Sequence, residues 1–393
     1  MRFVPGNRLQ LLRNGEEYFP ALVAAIDAAA AEVFLETYIF ADDETGSLVA
    51  DALARAAARG AAVRLLLDGF GARDFAPRFR AVLRQSGAEV LVFRPQISPW
   101  TLRRGRLRRM HRKLACVDGR TAFVGGINVI DDYDTPLQTP PRFDYAVRIE
   151  GPLTEHVRAA SARLWSQVSW ATSRRRWPGF AARADGNGRA ARDAPQAMPG
   201  GQRVALVVRD SLRHRRDIEE GYLRFIGEAR EEIVIANAYF LPGRRFRRAL
   251  TDAAARGVRV VLLLQGKVEY SLLHYASRAL YGALLDSGIQ IREYTRSFLH
   301  AKVAVFDRRI ASVGSSNIDP FSLLLAREAN VFIDDPDFAA QLRSSLDEAM
   351  RTGSRAVPPQ QWKHRPLWRR ARIWIAYGIS RLLTSFARPE RYH

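Results

Sequence analysis

The sequence predicts an α/β protein in which sheets are covered by helices and one domain occurs twice. Three observations carry this. Helical and strand-like stretches alternate along the chain, the same order returns in the second half, and a rare polar motif recurs at a fixed offset of 189 residues.

In the first half, Ala21, Leu22, Ala25, Ile26 and Ala29 recur at helical spacing, and the apolar run from Val33 to Phe40 then reads as a strand. A helix follows from Leu48 to Arg59, stopped by Gly60. Val63 to Leu67 and Ala88 to Phe93 are two further buried strands. In the second half, Tyr222 to Arg230 is helical and Ile233 to Phe240 is a strand. Arg247 to Arg256 is a helix stopped by Gly257, and Val258 to Leu264 is a strand. Leu280 to Ser287 is a helix stopped by Gly288, and Ile289 to Tyr294 is a strand. Each unit is far too long for a solenoid repeat, so the pattern means two copies of a whole domain. The expected boundaries are 1–172 for the first domain, 173–203 for a linker or mobile loop, 204–353 for the second domain and 354–393 for a tail of different character.

Composition narrows the function classes. Hydrophobic residues make up 47 % of 393 residues, which supplies a sizeable core and excludes wholesale disorder. The single cysteine, Cys116, excludes an intrachain disulfide framework and fits a reducing compartment. No stretch reaches the 18 or so apolar residues of a spanning helix, and the N-terminus carries no apolar signal region. A cytoplasmic chain with peripheral membrane contact is expected. The formal charge of +20 calls for an anionic partner: nucleic acid, a membrane surface or a phosphorylated substrate. Nearly all of it is arginine. The four lysines are Lys113, Lys267, Lys302 and Lys363.

Two of those lysines belong to the repeated motif. The first copy has His111, Lys113, Asp118, Gly125, Gly126 and Asn128. The second has His300, Lys302, Asp307, Gly314, Ser315 and Asn317. Both fit HxKxxxxDxxxxxxGxxN. The segments Lys113–Asp118 and Lys302–Asp307 read as strands, so each His and Lys, two residues apart, share a face. Turns at Asp118-Gly119 and Asp307-Arg308 lead into second strands at Thr121–Gly125 and Ile310–Gly314. Two such halves face to face make a cationic pocket of two imidazoles, two ammoniums and two amides. That suits a phosphodiester without a metal. One imidazole attacks phosphorus, the other moves the alcohol's proton, and lysines with Asn128, Asn317 and Ser315 hold the nonbridging oxygens. No cofactor or metal is expected, because no carboxylate and histidine cluster at ligand spacing accompanies these residues.

These residues resemble the phospholipase D superfamily, and within it the bacterial cardiolipin synthases. The resemblance runs from about residue 8 to about 350 and takes in Phe34–Phe40, Ala236–Gly243, Gly314–Leu323 and Leu325–Val331. It implies two homologous α/β domains, each a mixed sheet flanked by helices, packed as a pseudo-twofold bilobed unit with one shared site. It implies transfer of a phosphatidyl group from a donor phospholipid to phosphatidylglycerol through a phosphohistidine. By family habit His111 is the nucleophile and His300 the acid–base, and an acidic residue after each motif, Asp144 and Glu328, supports a histidine. Asp118 and Asp307 belong to the motif, more as structural partners than as reagents. The alternatives are a phospholipid-hydrolysing phosphodiesterase and, further off, a nuclease of the same superfamily. The long cardiolipin synthases carry two spanning helices ahead of this region, and none is legible here, which favours the short peripheral kind.

Two basic features remain. Five arginines between Arg103 and Arg109 abut His111 and would gather anionic head groups. In the tail, Trp368, Ala371, Ile375, Ile379, Leu382 and Phe386 fall on one helical stripe beside Arg369, Arg370, Arg372 and Arg381. Basic residues with Trp and Leu mark an interfacial helix on anionic lipid, as against a helix docked on the core. The expected place is the cytoplasmic face of the bacterial cell membrane, with phosphatidylglycerol and a second phospholipid as partners and no nucleic acid. The sequence leaves the oligomeric state open.

Overall fold

A computed structural model describes residues 1–95, 108–134, 139–176, 195–210, 214–268, 271–319 and 326–360, together with Ile375, Gly378 and Ile379. Its first half contains β1 (Val4–Arg13), β2 (Glu32–Thr37), β3 (Ala62–Asp68), β4 (Glu89–Phe93), β5 (Arg109–Met110), β6 (Lys113–Val117), β7 (Thr121–Gly125) and β8 (Tyr145–Glu150). Its second half contains β9 (Gln202–Arg209), β10 (Glu232–Asn237), β11 (Arg259–Gln265), β12 (Gln290–Tyr294), β13 (Lys302–Phe306), β14 (Ile310–Gly314), β15 (Ala326–Asp334) and β16 (Ser354–Ala356). Outwards from the middle, one half runs β1-β8-β7-β6-β2-β3-β4 and the other β9-β15-β14-β13-β10-β11-β12-β16. The halves join where β1 and β9 pair antiparallel, Val4 opposite Val204 and Asn7 opposite Gln202. In each half three strands are parallel and the rest antiparallel, which is the mixed sheet expected.

Strand alternation sorts the core. Val33 and Leu35 turn to a cluster made only of first-half residues, under the helices Asn14–Asp27, Glu44–Ala58 and Pro77–Gln85. Ile233 and Ile235 turn to a second-half cluster under Asp217–Glu228 and Arg244–Ala255. Phe34, Val234 and Ala236 point the other way, into a third cluster that draws on both halves and on the helices Leu153–Arg176 and Pro336–Gly353. This shared layer bonds the lobes and fixes the two motifs relative to each other. The glycines read as helix stops hold positive φ: Gly60 at 97°, Gly257 at 88° and Gly288 at 80°.

Some boundaries differ from expectation. The apolar runs Val33–Phe40 and Ile233–Phe240 leave the sheet at Thr37 and Asn237. Thr37 Oγ1 bonds to the Ile39 carbonyl (2.7 Å), and Phe40 and Phe240 bridge instead to Val129 and Ile318 beside the motifs. The helix Leu153–Arg176 crosses the boundary expected at 172, and β16 extends the second half to Ala356 by pairing with β12. Most of the linker (177–194) and of the tail lies outside the described residues. Within the tail, Ile375 and Ile379 are exposed. Among the described residues no helix is long and apolar enough to cross a membrane.

One buried ion pair breaks the symmetry. Arg112 donates from Nε and Nη2 to the two oxygens of Glu36, each at 2.7 Å, and both residues are 2 % exposed. The matching positions in the second half are Ala236 and Ala301. Glu36→Ala alone strands a buried guanidinium and is expected to destabilise by about 3–5 kcal/mol, whereas Glu36→Ala with Arg112→Ala copies the other half and restores most of that loss. Denaturant unfolding of the two variants checks this.

Candidate active site

Each histidine sits just ahead of a motif strand, on a segment strapped to the opposite half. Met110 lies beside Arg327 in the parallel β5–β15 pair, and His111 N–H donates to the Arg327 carbonyl (2.9 Å). Reciprocally, Phe143 bridges to Leu299, and His300 N–H donates to the Phe143 carbonyl (2.8 Å). The next residue on each strap is the acid. His111 Nδ1 lies 3.0 and 3.1 Å from the two oxygens of Glu328, and His300 Nδ1 lies 2.6 Å from Asp144 Oδ2. The acid after each motif therefore serves the other half's histidine, a crossing that the linear sequence hides. A carboxylate at Nδ1 holds the proton there and leaves Nε2 with its lone pair for chemistry.

The motif glycines explain how the acids come so close. A Cβ on Gly126 would fall on the Asp144 carboxylate. At the equivalent position the second copy has Ser315, whose hydroxyl donates to Glu328 Oε2. Ser315 thus orients the acid instead of facing the pocket as a phosphate ligand. Asn128 Oδ1 accepts from the Ile39 N–H (3.2 Å), and Asn317 Oδ1 is buried without a hydrogen-bond donor.

Lys113 and Lys302 are buried and close over their own histidines. Lys113 Nζ donates to the His111 carbonyl (2.8 Å), with the Tyr38 ring 5.4 Å away. Lys302 Nζ lies 2.8 Å from His300 Nδ1 and 3.5 Å from Asp144 Oδ2. Burial sets the protonation states. It pulls Lys113 down to about 7 against the attraction of Glu328. It pushes Asp144 up to about 6 against the pull of Lys302. Burial also lowers His111, opposed by Glu328, and takes His300 well down, helped by Lys302 and Lys113. For Glu328 burial pushes upward, but His111 and Lys113 outweigh it and hold the carboxyl below its ordinary value. Burial thus disfavours the cationic form of both imidazoles, and the negative charge of a phosphodiester beside them would favour it.

Asp118 and Asp307 stand at the far ends of their strands from the histidines. Asp118 accepts the backbone N–H of Ala30, Ala31 and Glu32, all at 2.8 Å. Asp307 accepts those of Arg230, Glu231 and Glu232 at 2.8, 2.8 and 3.0 Å. Both sit at positive φ in the hairpin turn. They anchor each hairpin to the start of β2 or β10.

Sequence reasoning missed Tyr38, whose ring meets the His111 ring edge-on at 4.8 Å. It also missed Asp68, which accepts the Met110 N–H (2.8 Å) and lies 3.7 Å from Arg109. A tyrosine and an acid in otherwise aliphatic runs were the available signals. Of the arginine run only Arg108 and Arg109 fall within the described residues.

This chain is similar to known proteins in sequence and in fold. The family profile described as "Cardiolipin synthase, PLD-like domain" matches residues 22–134 and 222–350, once in each half. Cardiolipin synthase B of Escherichia coli (strain K12) is 38 % identical over 376 residues, 96 % of this chain and 88 % of that one. The major cardiolipin synthase ClsA of Bacillus subtilis (strain 168) is 32 % identical over 388 residues, 97 % of this chain and 76 % of that one. In fold, the crystal structure of phosphatidylserine synthase from Haemophilus influenzae Rd KW20 superposes with a TM-score of 0.66 at 12 % identity, over 96 % of this chain and 95 % of that one.

Proposed function

Because this chain belongs to the cardiolipin synthases of the phospholipase D superfamily, we propose that its cross-paired histidines perform phosphatidyl transfer in two displacements at one site. The observation that supports this reading is the reciprocal pairing of His111 with Glu328 and of His300 with Asp144. His111 Nε2 attacks the phosphorus of a donor phospholipid. A P–N bond forms, the P–O bond to the head-group alcohol breaks, and His300 in its protonated form delivers a proton to the departing oxygen. A hydroxyl of phosphatidylglycerol then gives its proton to His300 and attacks phosphorus, the P–N bond breaks, and cardiolipin leaves. Lys113, Lys302, Asn128 and Asn317 hold the nonbridging oxygens as charge develops.

The substrates are phospholipids. Phosphatidylglycerol and a second phospholipid are the partners that membership of the family suggests, and attachment to an anionic surface on the cytoplasmic face of the bacterial membrane fits the charge of +20 and the basic, tryptophan-containing tail. Nucleic acid has no part in this reading. Purified protein incubated with phosphatidylglycerol in detergent micelles should release glycerol and form cardiolipin. Phosphatidate without cardiolipin would make it a hydrolase instead.

The lysines set a pH limit. Lys113 loses its proton as pH rises through about 7, and with it the attraction for the phosphodiester oxygens. We expect kcat/KM to fall on the alkaline side of about pH 7 in a pH–rate profile. Lys113→Arg, which keeps its charge, should move that fall upward at lower absolute activity.

A further inference from the structure

The two halves treat their histidines unequally. Tyr38 follows the last residue of β2 and covers His111. The residue that follows β10 is Ala238, whose N–H donates to the Ala301 carbonyl next to His300 (3.0 Å). Where the first half has a tyrosine ring, the second half has a small cleft. Its lining includes Ala238, Tyr239, Gln265, Lys267, His274 and Ser277.

A second asymmetry lies at the end of the adjacent strand. In the first half that position is Asp68, fully occupied by the N–H groups of Met110, Phe70 and Gly71. In the second half it is Gln265, 7 % exposed, with Oε1 facing the Lys267 N–H at 3.5 Å and Nε2 without an acceptor. A buried amide donor with no partner is costly unless something else supplies an oxygen. His274 is held neutral by burial and by Arg278, with its pKa taken down to about 4. Among the described residues no carboxylate lines the cleft, and Lys267 adds positive charge. Such a lining receives hydroxyl oxygens and disfavours an ammonium group.

We infer that this cleft is the alcohol subsite of the transfer reaction, taking an uncharged short polyol such as the glycerol head group, with Gln265 Nε2 donating to one of its hydroxyls. The inference rests on the phosphatidyl-transfer reading and extends it. An alcohol that leaves or enters opposite the nucleophile must lie on the side of the acid–base histidine, and the cleft belongs to the second half, where Ala238 of its lining bonds the carbonyl of Ala301 next to His300. The closed side, under Tyr38, belongs to His111.

The test uses the full chain with cardiolipin as donor and soluble acceptors. Each cardiolipin consumed releases one phosphatidylglycerol as the leaving alcohol, so phosphatidylglycerol carrying isotope from labelled glycerol measures transfer to glycerol, phosphatidylethanolamine measures transfer to ethanolamine, and phosphatidate measures transfer to water. Wild type should prefer glycerol to ethanolamine by at least about tenfold. Gln265→Leu should lower the ratio of glycerol transfer to hydrolysis about tenfold, the effect of one lost hydrogen bond, while phosphatidate still forms. Ala238→Tyr, which closes the cleft as Tyr38 does in the first half, should shift the ratio the same way. Should the tyrosine disturb folding, Gln265→Leu decides alone, and a wild-type ratio in that variant would overturn the subsite. Failure of the underlying reading shows separately, as wild-type protein that makes no cardiolipin from phosphatidylglycerol.

Discussion

His111→Ala and His300→Ala should each reduce cardiolipin formation by about 10⁴-fold or more, although they lie in different halves of the chain. The reason is geometric. Each histidine is held by the other half's backbone and oriented by the other half's acid, so there is one site and neither half is complete alone. The two losses differ in kind. Without His111 no P–N bond forms. Without His300 the departing alkoxide lacks a proton donor and the incoming hydroxyl lacks a base, but His111 can still attack. A lipid analogue with an activated phenolate leaving group needs no proton. With it, His300→Ala should accumulate a phosphorylated protein, stable in alkali and labile in acid as a phosphoramidate is, and His111→Ala should not. Mass spectrometry of the trapped peptide reads the outcome. An adduct in His111→Ala alone would exchange the two roles. Near-normal transfer in either variant would defeat the single-site reading.

Much of this was legible in the residues, and what was not has physical causes. Lysine is scarce, so two HxK pairs 189 residues apart stood out, and the period-2 alternation placed each His and Lys on one face. The succession of helices and strands along each half followed from helix stops and apolar runs. The ends of β2 and β10 were misplaced because Tyr38 and Phe40 are as apolar as the strand before them. Tyr38 leaves the sheet to cover His111 and Phe40 leaves it to bridge to Val129, a tertiary demand that periodicity does not carry. The central strands β1 and β9 and the straps at Met110 and Phe143 pair across the lobes, and local pattern says nothing of a partner about 150 or more residues away. For the same reason Asp144 and Glu328 could be named as supporting acids but not assigned to their histidines. Gly126 and Ser315, equivalent by offset, looked like a loose position in the motif. The structure makes them two solutions to one problem, an empty space for one carboxylate and a hydrogen bond for the other.

Glu328→Gln and Asp144→Asn should each lower turnover by about 10²- to 10⁴-fold, the range seen when a histidine loses the carboxylate that sets its tautomer. The crossing makes their step assignments unexpected from the linear sequence. Glu328, in the second half, should govern His111 and so the formation of the phosphoenzyme. Asp144, in the first half, should govern His300 and so its resolution. Single-turnover measurements separate the two: Glu328→Gln slows the appearance of the adduct, and Asp144→Asn slows its loss to acceptor. The opposite assignment would mean that each acid serves the histidine of its own half. Stability distinguishes the pair as well. In Glu328→Gln the Ser315 hydroxyl still has an oxygen to bond, so the side chain keeps its place. In Asp144→Asn the buried Lys302, 3.5 Å away, loses its counter-charge, and this variant should unfold more readily. Adding Glu328→Gln to His111→Ala should cost little further activity, because an acid that acts only through its histidine has nothing left to orient.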